Sequence, residues 1–211
     1  MPEVIARLHV ALTDTVPTVW RRIDVPVDAS LKMLHDVIQC AMGWLDCHLW
    51  DFEADGKRYG IPDPDWGMDE TIAAKNTKLG TLLNRGIRQF VYTYDMGDNW
   101  EHLLTVESIR EGESGTKFPR YLEGARRAPP EDVGGAPGFE AFLDAIRDPE
   151  HSDHREAVEW HLGCYGETFN PESFDEVNAK LGVGSIAKRR AAGKKSRLTR
   201  DARSNSTVPR N

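Results

Sequence analysis

Apolar and polar positions alternate at the start of the chain. Val4, Ala6, Leu8, Val10 and Leu12 fall on one face of an extended segment, and Ile5, Arg7, His9 and Ala11 on the other. A period of two predicts a half-buried strand. Asp14-Thr15-Val16-Pro17 is turn chemistry, after which Val19, Arg21, Ile23 and Val25 alternate until Pro26 ends the run. The two runs predict an antiparallel hairpin. The period then lengthens. Leu31, Leu34, Ile38, Ala41 and Met42 recur at helical spacing, behind Ser30 as N-cap and ahead of Gly43 as C-terminal cap. A helix is expected over residues 31–42.

Residues 48–53 and 58–60 predict a second hairpin around Asp55-Gly56, and the Pro- and Asp-rich stretch 61–76 a long loop of the kind that often carries function. Leu79, Leu82 and Leu83 fit a short helix. Residues 87–94 and 100–109 alternate and are rich in strand formers, joined by Asp95-Met96-Gly97-Asp98-Asn99 as a hairpin connection. Residues 112–136 show no clear period. Helices are expected over 138–147, 154–162 and 174–181. Strands dominate the first half and helices the second, unlike the regular alternation of a parallel α/β fold. The expected class is therefore α+β: a mainly antiparallel sheet with helices packed on one face and a helical C-terminal part.

Charge separates the chain into two parts. Net charge is −7, but residues 188–211 hold nine Lys/Arg against one Asp, which leaves residues 1–187 at −15. We expect a folded domain over 1–185 and a basic, disordered tail over 186–211. The tail cations Lys188, Arg189, Arg190, Lys194, Lys195 and Arg197 would give salt-dependent, sequence-independent affinity for DNA, without aromatics for base stacking. Three cysteines with no Cys-x-x-Cys pair fit a reduced, cytoplasmic protein. No apolar run suggests a signal peptide or a membrane partner. Six Trp are many for this length, so a Trp-rich surface for a protein partner is a further expectation.

The chemistry concentrates in Tyr94-Asp95-Met96-Gly97-Asp98-Asn99-Trp100-Glu101-His102. Asp and His coordinate divalent cations, and Asp also serves as a general base. Trp100 and His102 share a face of their strand, so Asp95, Asp98 and His102 would converge above one side of the sheet and form the metal set, if there is one. Asp and Gly are equally at home as plain turn residues. Pro129-Pro130-Glu131-Asp132-Val133-Gly134-Gly135 offers two more carboxylates on a stiffened approach, and His48 completes a candidate pocket of His48, Asp95, Asp98, Trp100, His102, Glu131 and Asp132. His35 reads as packing. No nucleophile elbow, protease-type cysteine or zinc signature occurs.

Several of these segments resemble, in order, the plasmid pRiA4b ORF-3-like family: Val19-Trp20-Arg21-Arg22-Ile23 with Val25-Pro26; Leu34-His35 through Gly43-Trp44; His48-Leu49-Trp50 with Phe52; and the Tyr94–His102 and Pro129–Gly135 motifs. The resemblance spans about residues 4–180 and omits the tail. It implies an α+β fold with an antiparallel sheet, a common pocket built from these motifs, and a plasmid or mobile-element setting. Members are often labelled TnpR-like passenger proteins of insertion elements. That label suggests a resolvase, but neither a serine nor a tyrosine recombinase set can be placed here. Three functions stay open: a binding or accessory module that contacts DNA or another mobile-element protein, a metal-assisted hydrolase or nuclease, and a protein-interaction domain.

Overall fold

The computed structural model describes residues 2–62 and 70–205, with side chains described as far as Lys194. Eight strands form one sheet: β1 (Val4–Leu12), β2 (Trp20–Pro26), β3 (Trp50–Ala54), β4 (Lys57–Gly60), β5 (Ile72–Ala73), β6 (Gln89–Tyr94), β7 (Trp100–Glu111) and β8 (Arg120–Ala125). Their order across the sheet is β5-β4-β3-β6-β7-β1-β2-β8. Every pair is antiparallel except the two-residue contact of β4 with β5. Five helices complete the chain: α1 (Leu31–Met42), α2 (Leu79–Asn84), α3 (Gly135–Arg147), α4 (His154–Tyr165) and α5 (Glu176–Asn205).

Most of the period-two residues do what their spacing predicts, although Val4 at the start of β1 is exposed and Ile5 on the other face is buried. Ala6, Leu8, Val10 and Leu12 of β1 are buried with Ile23 and Val25 of β2, Phe52 of β3, Tyr92 and Tyr94 of β6 and Leu104 of β7. Leu31, Leu34, Ile38, Ala41 and Met42 of α1 pack on that same side, as do Phe139 and Phe142 of α3 and Val183 of α5. Helices thus cover one face, and the fold is the α+β class expected. Ser30 caps α1 by accepting a hydrogen bond from Met33 N at 3.2 Å, and Gly43 ends it in the left-handed region at φ 89°. The other face is laced with ion pairs. Asp24, its side chain 1% exposed, receives Arg7 at 2.9 Å and Arg110 at 2.7 Å, while Arg22 joins Glu107 and Glu123.

Arg21 departs from the pattern of its strand. It lies in phase with Val19, Ile23 and Val25, so its guanidinium is carried into the core, where the residue is fully buried. Nε donates to Ala41 O at 2.6 Å, Nη1 to Trp20 O and Ala125 O at 2.8 and 2.9 Å, and Nη2 to Arg126 O at 2.9 Å. The guanidinium carbon stands 3.6 Å from the centre of the Phe174 ring. Burial lowers its pKa to about 10, so the group remains charged at neutral pH.

Three elements differ from the sequence reading. β8 lies within 112–136, read as irregular. It is a short edge strand whose pairing shifts register between Arg22 and Ile23, and such an irregularity blurs alternation. β5 falls in the stretch read as a long loop, of which 63–69 lie outside the described residues. The helix expected to stop at Leu181 runs to Asn205 and crosses residue 186, where a disordered tail was expected. Ile186 and Ala187 are buried, and the cations beyond them dock on the body: Arg190 pairs with Glu3 and Asp28, and Lys194 reaches Glu3 at 2.6 Å and Asp28 at 3.1 Å.

Arg21→Met should lower the stability measured by urea unfolding by about 3 kcal/mol, because buried carbonyls lose their donor. Arg21→Lys should restore only part of the loss, since an ammonium lacks the planar fork that reaches three segments at once. A urea midpoint unchanged in Arg21→Met would show that the guanidinium is dispensable.

Candidate functional site

Two segments leave the core side by side. One follows the C-terminus of α1 through Trp44, Leu45, Asp46 and Cys47 to His48. The other follows β8 through Arg127 and Pro129 to Glu131 and Asp132. Trp44 Nε1 donates to Pro129 O at 2.9 Å, and Leu45 N donates to Glu131 Oε1 at 2.8 Å, so the two are stitched together. The β6–β7 connection closes the third side. Asp98 Oδ2 accepts from Gly134 N at 3.2 Å, and a Cβ on Gly135 would stand 2.8 Å from Asp98 O, so only glycine allows this approach.

His48 sits where these segments meet. Its Nε2 lies 3.3 Å from Asp132 Oδ1, 3.6 Å from Asp95 Oδ2 and 3.7 Å from Glu131 Oε2. That nitrogen is shielded from solvent and has no hydrogen-bond partner among the described residues. The carboxylates are held from behind. Asp95 Oδ1 accepts from Gly97 N at 2.8 Å and Asp98 N at 3.3 Å, which leaves Oδ2 toward the histidine. Glu131, 8% exposed, accepts from Leu45 N and from Tyr94 OH at 3.1 Å through Oε1, which leaves Oε2 inward. Its own N–H donates to Tyr165 OH at 2.8 Å. Asp132 is 75% exposed and forms the open side. Burial raises the Tyr94 phenol above its ordinary range and also raises that of Tyr165, so both stay protonated. Cys47 adds a thiol 3.7 Å from Tyr94 OH and within reach of the same centre as His48 and Glu131. A cavity of about 510 Å³ adjoins the cluster through Glu131, with Trp44, His161, Tyr165 and Phe169 among its walls.

The seven expected pocket residues fall into three groups. His48, Asp95, Glu131 and Asp132 converge. Asp98 stands beside them and holds the third segment in place. Trp100 and His102 share a face, as their spacing requires, but that face is the core. Trp100 packs edge-on to Phe139, and His102 is fully buried. The metal set read from sequence, Asp95, Asp98 and His102, is therefore not assembled: in this cluster the oxygen and nitrogen atoms that come within reach of one ion belong to His48, Asp95 and Asp132, and a separate group of His35, Asp36 and Asp46 lies at α1. His102 Nδ1 donates to Tyr92 O at 3.1 Å, the ring stands edge-on to Trp44, and burial lowers its pKa to about 4. His35 is structural, as expected. It bonds Tyr92 OH at 2.8 Å and Asp46 at 2.7 Å, and burial lowers it to about 4 as well. The Trp-rich surface is not formed among the described residues either: Trp44, Trp50 and Trp100 are buried, Trp20 stacks on His9, and Trp160 packs on Phe142. Sequence reasoning passed over Cys47, which its neighbour His48 could have signalled, and Tyr165, which carried no signal.

Fold and site together define an α+β protein whose charged centre is built where three chain segments meet at one end of a half-covered sheet. The chain belongs to the plasmid pRiA4b ORF-3-like family, whose pattern it matches over residues 4–178, a range that contains every residue of the cluster. It is 40% identical over 160 residues to the uncharacterized protein y4hQ of Sinorhizobium fredii, covering 76% of this chain and 82% of that protein. It is also similar to the crystal structure of a protein of unknown function from Methanosarcina mazei Go1. There the TM-score is 0.74 and the identity 34%, over 83% of this chain and 97% of that one. No described helix is long and apolar enough to cross a membrane.

The buried imidazoles make stability depend on pH. His102 takes up a proton near 6.5 when unfolded and near 4 when folded. Between those values the unfolded chain binds more protons, so this contribution is complete above about pH 6.5 and is lost as pH falls toward 4, by about 3 kcal/mol. The urea midpoint should fall through that window, and His102→Phe should make the fall shallower, leaving the part that His35 contributes. A slope unchanged by the substitution would show that His102 is not held neutral.

Proposed function

We propose that this protein is a divalent-cation-dependent hydrolase whose centre is His48, Asp95 and Asp132, with Glu131 as the proton acceptor beside it. The observation that carries this reading is the His48 nitrogen: buried, without a hydrogen-bond partner, and facing three carboxylates from two other segments. Two ligand atoms bound at about 2.1 Å to one tetrahedral ion stand about 3.4 Å apart. The separations of 3.3 Å to Asp132 and 3.6 Å to Asp95 bracket that spacing. One imidazole with carboxylates suits zinc, manganese or a similar borderline ion. Such an ion lowers the pKa of a bound water and polarises the bond under attack. Glu131 supports the base role because its Oε1 is fixed by Leu45 N and Tyr94 OH while Oε2 faces the centre. The adjoining cavity would hold the substrate. A cytoplasmic setting belongs to this reading, supported by three cysteines that form no disulfide. A mobile-element setting is suggested by the plasmid in the family's description.

A second reading, an accessory module that contacts DNA through its tail, loses part of its charge to the body. Arg190 and Lys194 are committed to Glu3 and Asp28.

Metal analysis after incubation with zinc or manganese and gel filtration tests the main reading. Wild type should retain about one equivalent, and ion at about 100 times its Kd should stabilise the protein by about 2.7 kcal/mol. His48→Ala and Asp95→Asn should lose both effects. His102→Ala, placed in the core, should keep the metal. Equal metal content in wild type and His48→Ala, with no thermal shift in either, would dispose of the centre.

A further inference from the structure

We propose a second binding site, a basic groove between the β8 side of the sheet and α5 that holds a nucleic-acid strand through its phosphates. The groove is a cavity of about 490 Å³. Lys117 and Arg120 line one wall, and Lys180 and Lys188 the other, while no Asp or Glu is among the lining residues. The chain as a whole has 34 acidic residues against 27 Lys and Arg, so a groove lined by four cations, with only Glu113 and Glu176 paired at its rim, is a local reversal of its charge. A negative body around it confines a polyanion to this place.

The walls are arranged for an extended ligand. Lys180, Gly184 and Lys188 recur at intervals of four and so share one face of α5. Gly184 keeps the floor open between the two lysines, since a Cβ there would meet nothing within 4 Å. Eight residues of helix place the lysines about 12 Å apart. That span is long enough to meet more than one phosphate of a single strand. β8 ends the sheet, and among the described residues it pairs only with β2, which leaves its outer edge without a strand partner there. Backbone N–H groups of such an edge suit phosphate oxygens. Competition from the protein's own acids is weak. Arg120 meets Glu113 at 3.6 Å and Lys180 meets Glu176 at 2.7 Å, both on the surface, and Lys117 and Lys188 have no ion pair among the described residues. The cations of α5 therefore divide by role: Arg190 and Lys194 dock the helix on Glu3 and Asp28, while Lys180 and Lys188 face the groove. Three of the four groove residues lie outside the basic tail, and the site stands whether or not the His48 centre takes a metal.

The test is fluorescence anisotropy of a labelled single-stranded DNA oligonucleotide, titrated with full-length protein at several salt concentrations without added metal. Wild type should bind with a steep salt dependence. Lys117→Gln/Arg120→Gln and Lys180→Gln/Lys188→Gln should each weaken binding at least about tenfold at low salt and reduce the salt slope by about 1.4, the value for two lost contacts to a single strand. Arg155→Gln, an exposed cation on α4, should bind as wild type does. All four side chains are exposed, so the variants should fold, and circular dichroism melting confirms it. Wild-type affinity in both double variants overturns the proposal, as does an absence of binding by wild type. Displacement of the DNA by poly-glutamate as readily as by unlabelled DNA overturns the assignment to nucleic acid, because the groove would then read charge alone.

Discussion

The guanidinium of Arg21 ties together the two chain segments that deliver the candidate site. It reaches the last turn of α1 through Ala41 O and the end of β8 through Ala125 O and Arg126 O. Those points are where the 43–48 and 127–132 segments depart. A buried cation is costly unless its hydrogen bonds are satisfied. Here backbone carbonyls satisfy them, one at the negative end of a helix, and the face of Phe174 completes the enclosure. A carboxylate partner would neutralise the charge at a single point. Carbonyls from three places convert the same charge into a positional constraint, which the Trp44–Pro129 and Leu45–Glu131 bonds then extend to the site itself.

The backbone around the site is consistent with such over-determination. Asp46, Asp95, Asn99, Arg126 and Asp132 all have φ between 55° and 67°, a region that non-glycine residues rarely occupy. Asp and Asn tolerate it better than most, through local hydrogen bonds, yet each such residue still costs of the order of 1 kcal/mol. Two of them, Asp95 and Asp132, are the carboxylates nearest His48. The turn places Asp95 Oδ1 on the N–H groups of Gly97 and Asp98 and thereby orients Oδ2 toward the imidazole.

Much of the scaffold was legible because it rests on local periodicity. β1, β2, α1 and the β6–β7 hairpin lie where alternation, Ser30, Gly43 and the Asp95–Asn99 connection place them. β8 was not, because Arg120-Tyr121-Leu122-Glu123-Gly124-Ala125 buries only Tyr121 and pairs across an irregularity, so its strand character comes from β2 and not from its own pattern. The course of α5 beyond 186 was missed for the opposite reason. Its Lys, Arg and Ala are good helix formers, but their charge reads as a free tail until Glu3 and Asp28 are known to lie opposite.

The candidate site shows the same division between what is local and what is not. Two motifs, Tyr94–His102 and Pro129–Gly135, were readable as candidate chemistry, and Asp98 and the Gly134-Gly135 pair dock them against each other. The selection among their residues was beyond a one-dimensional reading. Alternation puts Trp100 and His102 on one face but does not say that α3 and Trp44 cover it. Once that face is core, the imidazole of His102 is neutral packing, and the histidine of the site has to arrive from another segment. His48 does so because α1 ends at Gly43 and Arg21 fixes where that end lies. The imidazole at the middle of the carboxylate cluster is thus positioned by a residue that never touches it.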